Sequence, residues 1–255
     1  MVSAIANNTW VARPRPRQAA DVRLFCFPYA GGGALGYRKW ADEMMGNVEI
    51  CPIQLPGRET QMRAKPFERV QPLVQALTPA IRPYLDKPFA FFGHSMGALI
   101  AFELAREVRR QYGLEPIQLY VSARVAPHLK LPREPMYLLP DNEFMDVLRD
   151  LNGTPREVLE NEEMMRLIMP LLRADFAVNE AYTFTEDEPL TCPIYALGGL
   201  RDPEATGENL QPWSRHTRGE FKLQMFPGDH FFINAAQSLL LRVLSQDLAT
   251  RRKPA

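Results

Sequence analysis

Six short, nearly continuous apolar runs separated by helical patterns constrain the fold of this chain more than any other feature of its sequence. The runs are VRLFCFPYA (22–30), VEICPIQLP (48–56), PFAFFGHS (88–95), IQLYVSAR (117–124), CPIYALGG (192–199) and EFKLQMFPG (220–228). A strand with one wet face alternates apolar and polar residues, whereas a strand covered on both faces does not. Helical patterns fall between the runs, at roughly 34–46, 67–84, 97–112 and 235–250. This alternation predicts an α/β fold with a mainly parallel central sheet flanked by helices. At 255 residues the chain has room for one such domain with a buried core. Residues 1–20 read as an N-terminal arm in which RPRPR (13–17) is extended and solvated, with room for an edge strand, and residues 21–255 read as the domain.

The rhythm breaks between about 125 and 190, where no strand pattern occurs. DNEFMDVLRDL (141–151), TPREVLE (154–160) and NEEMMRLIMPLLRADFAVNEAY (161–182) are helical instead. Asp141, Thr154 and Asn161 are candidate caps, Pro155 suits a first helical position, and Pro170 is expected to kink or divide the last helix. A long helical excursion between two sheet strands predicts an inserted lid.

The chemistry concentrates in Gly93-His94-Ser95-Met96-Gly97, between the run PFAFF and the helical pattern GALIAFELAREVRR, whose apolar face includes Leu99, Phe102, Leu104 and Ala105. Gly-x-Ser-x-Gly at a strand-to-helix turn exposes the serine hydroxyl on a sharp elbow, which makes Ser95 a candidate nucleophile. The competing reading is an ordinary turn with a capping serine. The base must be one of four histidines. His94 adjoins Ser95 and should pack under the turn, while His128 and His216 read as surface or lid residues. His230, in FPGDHFF, follows the last strand and therefore lies at the carboxyl edge of the sheet, as Ser95 does. Asp202, in ALGGLRDPE, lies just beyond the strand at 192–199 and supplies the acid in the order Ser…Asp…His. Asp229, Asp175 and Glu204 are weaker choices. An oxyanion hole needs two backbone N–H groups. Met96, whose side chain this role leaves replaceable, offers one, and the glycine loop FPYAGGGALGY (27–37) offers the other.

Other chemistries find less support. The loop lacks the lysine and hydroxyl of a phosphate-binding loop, and there is no proper Gly-x-Gly-x-x-Gly run with its downstream acid. The histidines and cysteines show no metal-ligand spacing. Lys plus Arg and Asp plus Glu balance at 30 each, which gives no reason to expect nucleic acid. Cys26, Cys51 and Cys192 lie in apolar runs and read as buried thiols of a cytoplasmic protein. The N-terminus lacks a signal-peptide core, and no run reaches the about 18 apolar residues of a membrane span. Nothing in the pattern demands a second subunit, so a monomer is expected.

These stretches together resemble the type II thioesterases, the editing enzymes of polyketide synthases and nonribosomal peptide synthetases, in the α/β-hydrolase superfamily. The resemblance runs from about Val22 to Leu248 through FCFPYAGGGALGYRKW, PIQLPGRE, FFGHSMGALIAFELA, the helical excursion, PLTCPIYALGGLRDP and FPGDHFF. It implies a Ser95–His230–Asp202 triad, oxyanion donors at the backbone of Ala30 and Met96, and a lid over an acyl channel. The implied substrates are aberrant or stalled acyl thioesters on the phosphopantetheine arm of an acyl or peptidyl carrier protein, with no further cofactor and no metal. Among the apolar lid residues, Met164, Ile168, Leu172 and Phe176 are candidates for the channel. SARVAPH (122–128) departs from the family's usual SGRRAP-like run at Ala123 and Val125. The alternatives are a general carboxylesterase or lipase, or an acyltransferase, using the same triad; a non-enzymatic scaffold fits poorly with all three residues present.

Overall fold

The computed structural model describes residues 9–131, 134–151, 153 and 156–251. All six apolar runs become strands of one sheet: β1 Val22–Phe27, β2 Val48–Pro52, β3 Phe89–His94, β4 Gln118–Ser122, β5 Ile194–Gly199 and β6 Phe221–Phe226. Their spatial order is β2-β1-β3-β4-β5-β6, and every neighbouring pair is parallel. The first five strands are buried throughout, whereas β6, an edge, is half-exposed over most of its length.

β2 is the other edge, and the N-terminal arm covers it. Val11 bridges Ile53 in antiparallel fashion. Arg13 and Arg23 both pair with Glu49, whose side chain is wholly buried on β2. The expectation of a solvated arm holds for Pro14, Arg15 and Pro16, which are exposed, but is corrected at Arg13: a carboxylate buried on an edge strand requires cationic partners, and Arg13 is one of them.

The helices are α1 Trp40–Glu43, α2 Val70–Ile81, α3 Met96–Tyr112, α4 Asp141–Leu151, α5 Arg156–Leu159, α6 Glu162–Glu180, α7 Gly207–Leu210, α8 Phe232–Ala235 and α9 Gln237–Arg251. The pattern at 34–46 yields only a 3-10 turn, Ala34–Tyr37, and the single turn α1. Glycines 33 and 36 weaken any longer helix there. α3 buries Leu99, Phe102, Leu104 and Ala105. It stops at Gly113, which takes the left-handed conformation (φ 64°) and returns its N–H to the Arg109 carbonyl.

α4 to α6 form the insertion between β4 and β5. The Asn161 side chain accepts from Met164 N at 3.0 Å and caps α6. Asp141 is not a cap. It belongs to the first turn of α4, Phe144 N bonds to the Pro140 carbonyl, and the Asp141 carboxylate reaches Arg173 instead. Thr154 and Pro155 lie outside the described residues. α6 is one helix through Pro170, not two, since buried Met165 and Leu172 hold it on either side.

Burial divides into two clusters. One spans the sheet and its flanking helices. The other is confined to the lid and contains Met136, Phe144, Leu148, Leu159, Met165, Leu172 and Phe176. Ala30 packs against both. His216, expected at the surface, is 5% exposed. It sits among the rings of Phe102, Phe184 and Trp213, with its Nε2 2.7 Å from His128 Nδ1. Burial, then the neighbouring His128, Arg215 and Arg106, push its pKa down to about 4. Cys26, Cys51 and Cys192 are free and buried, and burial raises the pKa of each thiol.

The departure at Ala123 has a backbone meaning. Ala123 has φ 51°, the left-handed region that favours glycine, at a cost of about 1–2 kcal/mol. Its methyl is 3% exposed, and its N–H donates to the Leu197 carbonyl, both of which offset that cost. Arg124, next in the chain, is buried and donates to Asn179 Oδ1 of α6 at 2.7 Å.

Strand order places the site. The chain leaves β1 for β2 on one side, then crosses back to β3 and continues toward β4. Loops leaving β1 and β3 therefore diverge and open a crevice beyond their carboxyl ends, where ligands bind in open α/β sheets.

Candidate active site

Ser95 sits at that crevice, between β3 and α3. Its N–H bonds to the Ser122 carbonyl at 2.7 Å. Its backbone is forced to φ 54° and ψ −118°, a conformation costing about 1–3 kcal/mol. Two glycines make the turn possible. A Cβ on Gly93 would lie 2.1 Å from the Gly97 carbonyl oxygen, and one on Gly97 would lie 2.1 Å from the Phe27 carbonyl oxygen of β1. The Ser95 side chain makes no capping hydrogen bond to α3, which disfavours the reading of a capping serine. Ser95 is half-exposed, while His94 and Met96 on either side are wholly buried.

Met96 opens α3, so its N–H has no acceptor within the helix. Its side chain belongs to the main core, contrary to the expectation that it is replaceable: a side chain flanking the elbow points into the sheet–helix interface. Ala30 follows β1 and lines the same cavity as Ser95.

Asp202 and His230 arrive from β5 and β6. Asp202 N bonds back to the Gly199 carbonyl, closing a turn directly after β5. Its Oδ1 accepts from the N–H groups of Glu204 (2.9 Å) and Ala205 (3.1 Å), and its Oδ2 lies 2.7 Å from His230 Nδ1. A carboxylate only accepts, so Nδ1 carries the proton and Nε2 is left as the basic nitrogen. Burial pushes the Asp202 carboxyl up, but the His230 hydrogen bond and charge and the two amides outweigh it, and it stays below the usual carboxylate range. Asp229 is turned away from this role, since its Oδ1 accepts from Phe231 N.

His94 forms the floor. It is wholly buried, its Nδ1 lies 2.9 Å from Ser122 Oγ, and its ring centroid is 5.4 Å from that of His230. Burial, then the neighbouring His230, push its pKa down to about 3. His94 is thus neutral in the fold and takes up a proton on unfolding once the pH falls below about 6.5. Its folded pKa is depressed, so its contribution is lost as pH falls. Urea unfolding should show a loss of about 1–2 kcal/mol from this residue between pH 6.5 and pH 5. His94→Gln should flatten that slope, and an unchanged slope would disprove the assignment.

Ser95, Asp202 and His230 all line one cavity of about 350 Å3. The lid contributes Leu148, Leu151, Leu172 and Phe176 to it. Met164 and Ile168 are not among its lining residues, and Met164 is 44% exposed. The reason is geometric. Each i+4 step turns about 40° round a helix, so the row from Met164 to Phe176 winds through about 120° and only its C-terminal half meets the cavity. Tyr29 and Phe231 also line it, with ring centroids 5.4 Å apart. Neither was singled out from the sequence, although each lies within a motif that was. Among the described residues, no His, Cys, Asp and Glu cluster could hold a metal ion.

Known proteins resemble this chain over nearly its whole length. A family model described as thioesterase domain matches residues 22–248. A protein of Brevibacillus parabrevis named linear gramicidin dehydrogenase LgrE is 43% identical over 247 residues, covering 96% of this chain and 94% of the relative. The structure of the type II thioesterase BorB from the borrelidin biosynthetic cluster superposes with a TM-score of 0.85 at 36% identity, covering 93% of this chain and 97% of that one. YbtT, a type II thioesterase from the yersiniabactin NRPS/PKS pathway, gives a TM-score of 0.86 at 29% identity, covering 96% and 100%.

Proposed function

The chain belongs to the thioesterase family, and from that premise we propose that it is an editing thioesterase whose triad is Ser95, His230 and Asp202. Its substrates are acyl groups held as thioesters on carrier proteins of polyketide or nonribosomal peptide synthases. The observation that carries the triad is the Asp202–His230 hydrogen bond at the wall of the cavity into which a strained, uncapped Ser95 opens.

The chemistry follows from the positions. Ser95 Oγ attacks the thioester carbonyl and its proton passes to His230 Nε2. The new oxyanion takes hydrogen bonds from the N–H groups of Ala30 and Met96, at the positive end of α3. The C–S bond breaks, the pantetheine thiol leaves with the proton from His230, and the acyl group stays on Ser95. Water then enters and gives a proton to His230 as its oxygen bonds to the acyl carbon; the acyl–Oγ bond breaks, His230 returns the proton to Ser95 Oγ, and the acid is released. Asp202 keeps the His230 ring in one orientation and one tautomer throughout.

A cavity of about 350 Å3 lies at the lower end for small-molecule sites and suits short acyl groups. We read residues 21–255 as one domain carrying the lid, acting as a monomer in the cytoplasm. Three free, buried thiols support a reducing compartment, and no helix among the described residues is long and apolar enough to cross a membrane.

The dehydrogenase in one relative's name invites a second reading. Glycines 31, 33 and 36 do have dinucleotide-loop spacing. However, the loop runs into a 3-10 turn and not a long helix, Asp175 already occupies the Gly31 N–H, and Gln54 stands beyond β2 where an acid would hold the ribose. The decisive experiment loads a panel of acyl groups on a carrier protein and follows release by mass spectrometry. Short acyl thioesters should turn over at least about tenfold faster, in kcat/KM, than oxygen esters of the same acids. Faster turnover of the oxygen esters would favour a general esterase.

A further inference from the structure

PGRE (56–59) is part of a stretch that marks the family resemblance, yet the triad makes no use of it. Arg58 is 6% exposed and pairs bidentately with Asp175 of the lid helix α6, Nη1 to Oδ2 at 2.8 Å and Nη2 to Oδ1 at 2.7 Å. The same Nη1 donates to the Gly32 carbonyl at 2.8 Å, and Asp175 Oδ2 also accepts from Gly31 N at 2.8 Å. Glu59 grips the loop further on, its Oε1 accepting from Leu35 N at 3.1 Å. Apart from the Arg58–Asp175 pair itself, each of these contacts lands on the glycine loop after β1.

The contacts determine where one peptide points. Gly32 N donates to the Tyr29 carbonyl at 2.9 Å. That carbonyl belongs to the Tyr29–Ala30 peptide, whose N–H is the oxyanion donor of the mechanism above. The peptide is trans, so fixing its carbonyl fixes its N–H on the opposite side. Gly31 at φ 77° and Gly32 are held at both ends by Asp175 and Arg58, so the loop has little freedom left. Ala30 itself packs against both the main core and the lid core. Leu172 and Phe176, which line the cavity, flank Asp175 on α6.

We infer that Arg58 and Asp175 are positioning residues that couple the seating of the lid helix to the orientation of the Ala30 N–H. With α6 seated, the carboxylate holds Gly31 and orients Arg58 onto Gly32. With α6 displaced, the donor loses its alignment and the oxyanion loses a hydrogen bond that exists only in the transition state. This rests on the reading of Ser95 as nucleophile and Ala30 as oxyanion donor.

The test removes the pair together, because an orphaned buried charge would unfold the chain for reasons unrelated to catalysis. The double variant Arg58→Met, Asp175→Leu is expected to lower kcat on an acyl-carrier thioester by about 30- to 300-fold with KM within about threefold. Affinity for an alkyl boronic acid, which forms a tetrahedral anion on serine, should fall in parallel. Affinity for a thioether analogue of acyl-pantetheine should not. The double variant Arg58→Gln, Asp175→Asn, which removes both charges together but keeps an acceptor for Gly31, should show the same split to a smaller extent and serves if the Met/Leu pair does not fold. A folded variant with parent kcat, or one losing both ligands equally, overturns the coupling. Ser95→Ala separates the two readings. If it is inactive while the double variant is unimpaired, only the coupling fails; if it still hydrolyses thioester, the triad fails and the coupling with it.

Discussion

Ser95→Ala is expected to lower kcat for a carrier-bound acyl thioester by roughly 10⁴- to 10⁶-fold while leaving the chain folded. The size follows from losing the covalent route altogether. On the proposed mechanism, what remains is water attacking a carbonyl polarised by the Ala30 and Met96 N–H groups. The fold should tolerate the change because the Ser95 side chain caps nothing, so its removal strands no partner. Alanine inherits the same φ of 54° and gains no new strain over serine. Thermal unfolding should therefore shift by only a few degrees. Intact-mass spectra of the parent protein, mixed with acyl carrier and quenched, should show an acyl adduct on the peptide containing Ser95, and the variant should show none. Activity within tenfold of the parent would rule Ser95 out as nucleophile.

Asp202→Asn is expected to cost about 10⁴-fold in kcat, with KM little changed. The argument turns on which way the new amide faces. Oδ1 of Asp202 accepts from two backbone N–H groups, Glu204 and Ala205. Asparagine can keep both bonds only by placing its carbonyl oxygen there, which turns its NH₂ toward His230. A donor facing Nδ1 makes that nitrogen the acceptor and moves the ring proton to Nε2, the atom that receives the Ser95 proton in the proposed mechanism. The site would be intact in shape and wrong in tautomer. Nitrogen-15 NMR of His230 should report the switch directly, and retention of the Nδ1–H form alongside full activity would contradict it.

The strands could be read from the sequence because burial on both faces erases the alternation of a half-wet sheet. β1 to β5 are buried at every position. Ser95, Asp202 and His230 could be placed because each stands just past the carboxyl end of a strand, and local order along the chain is enough to say so. What escaped depended on contacts across the chain. Arg13 looked solvated because nothing near it reveals that Glu49 is buried on an edge strand. His216 looked exposed because its aromatic surroundings come from Phe102, Phe184 and Trp213, only the last of them nearby in sequence. Arg58 and Asp175 are 117 residues apart, and no periodicity links them. Met164 and Ile168 shared an apolar row with Leu172 and Phe176, but a row on a helix is a spiral and the cavity meets only part of it.

The presence of two cores that meet at Ala30 has a consequence for how such a chain diversifies. Substitutions whose contacts are confined to different clusters add nearly independently. Positions such as Phe144 or Leu148 can change size with little effect on the sheet, because they pack within the lid cluster. The elbow has no such latitude: Gly97 abuts the Phe27 backbone, and any side chain there must displace β1 itself. The lid cluster can therefore be repacked while the elbow cannot. Ala30, touching both, marks the boundary that any exchange of one lid for another would have to respect.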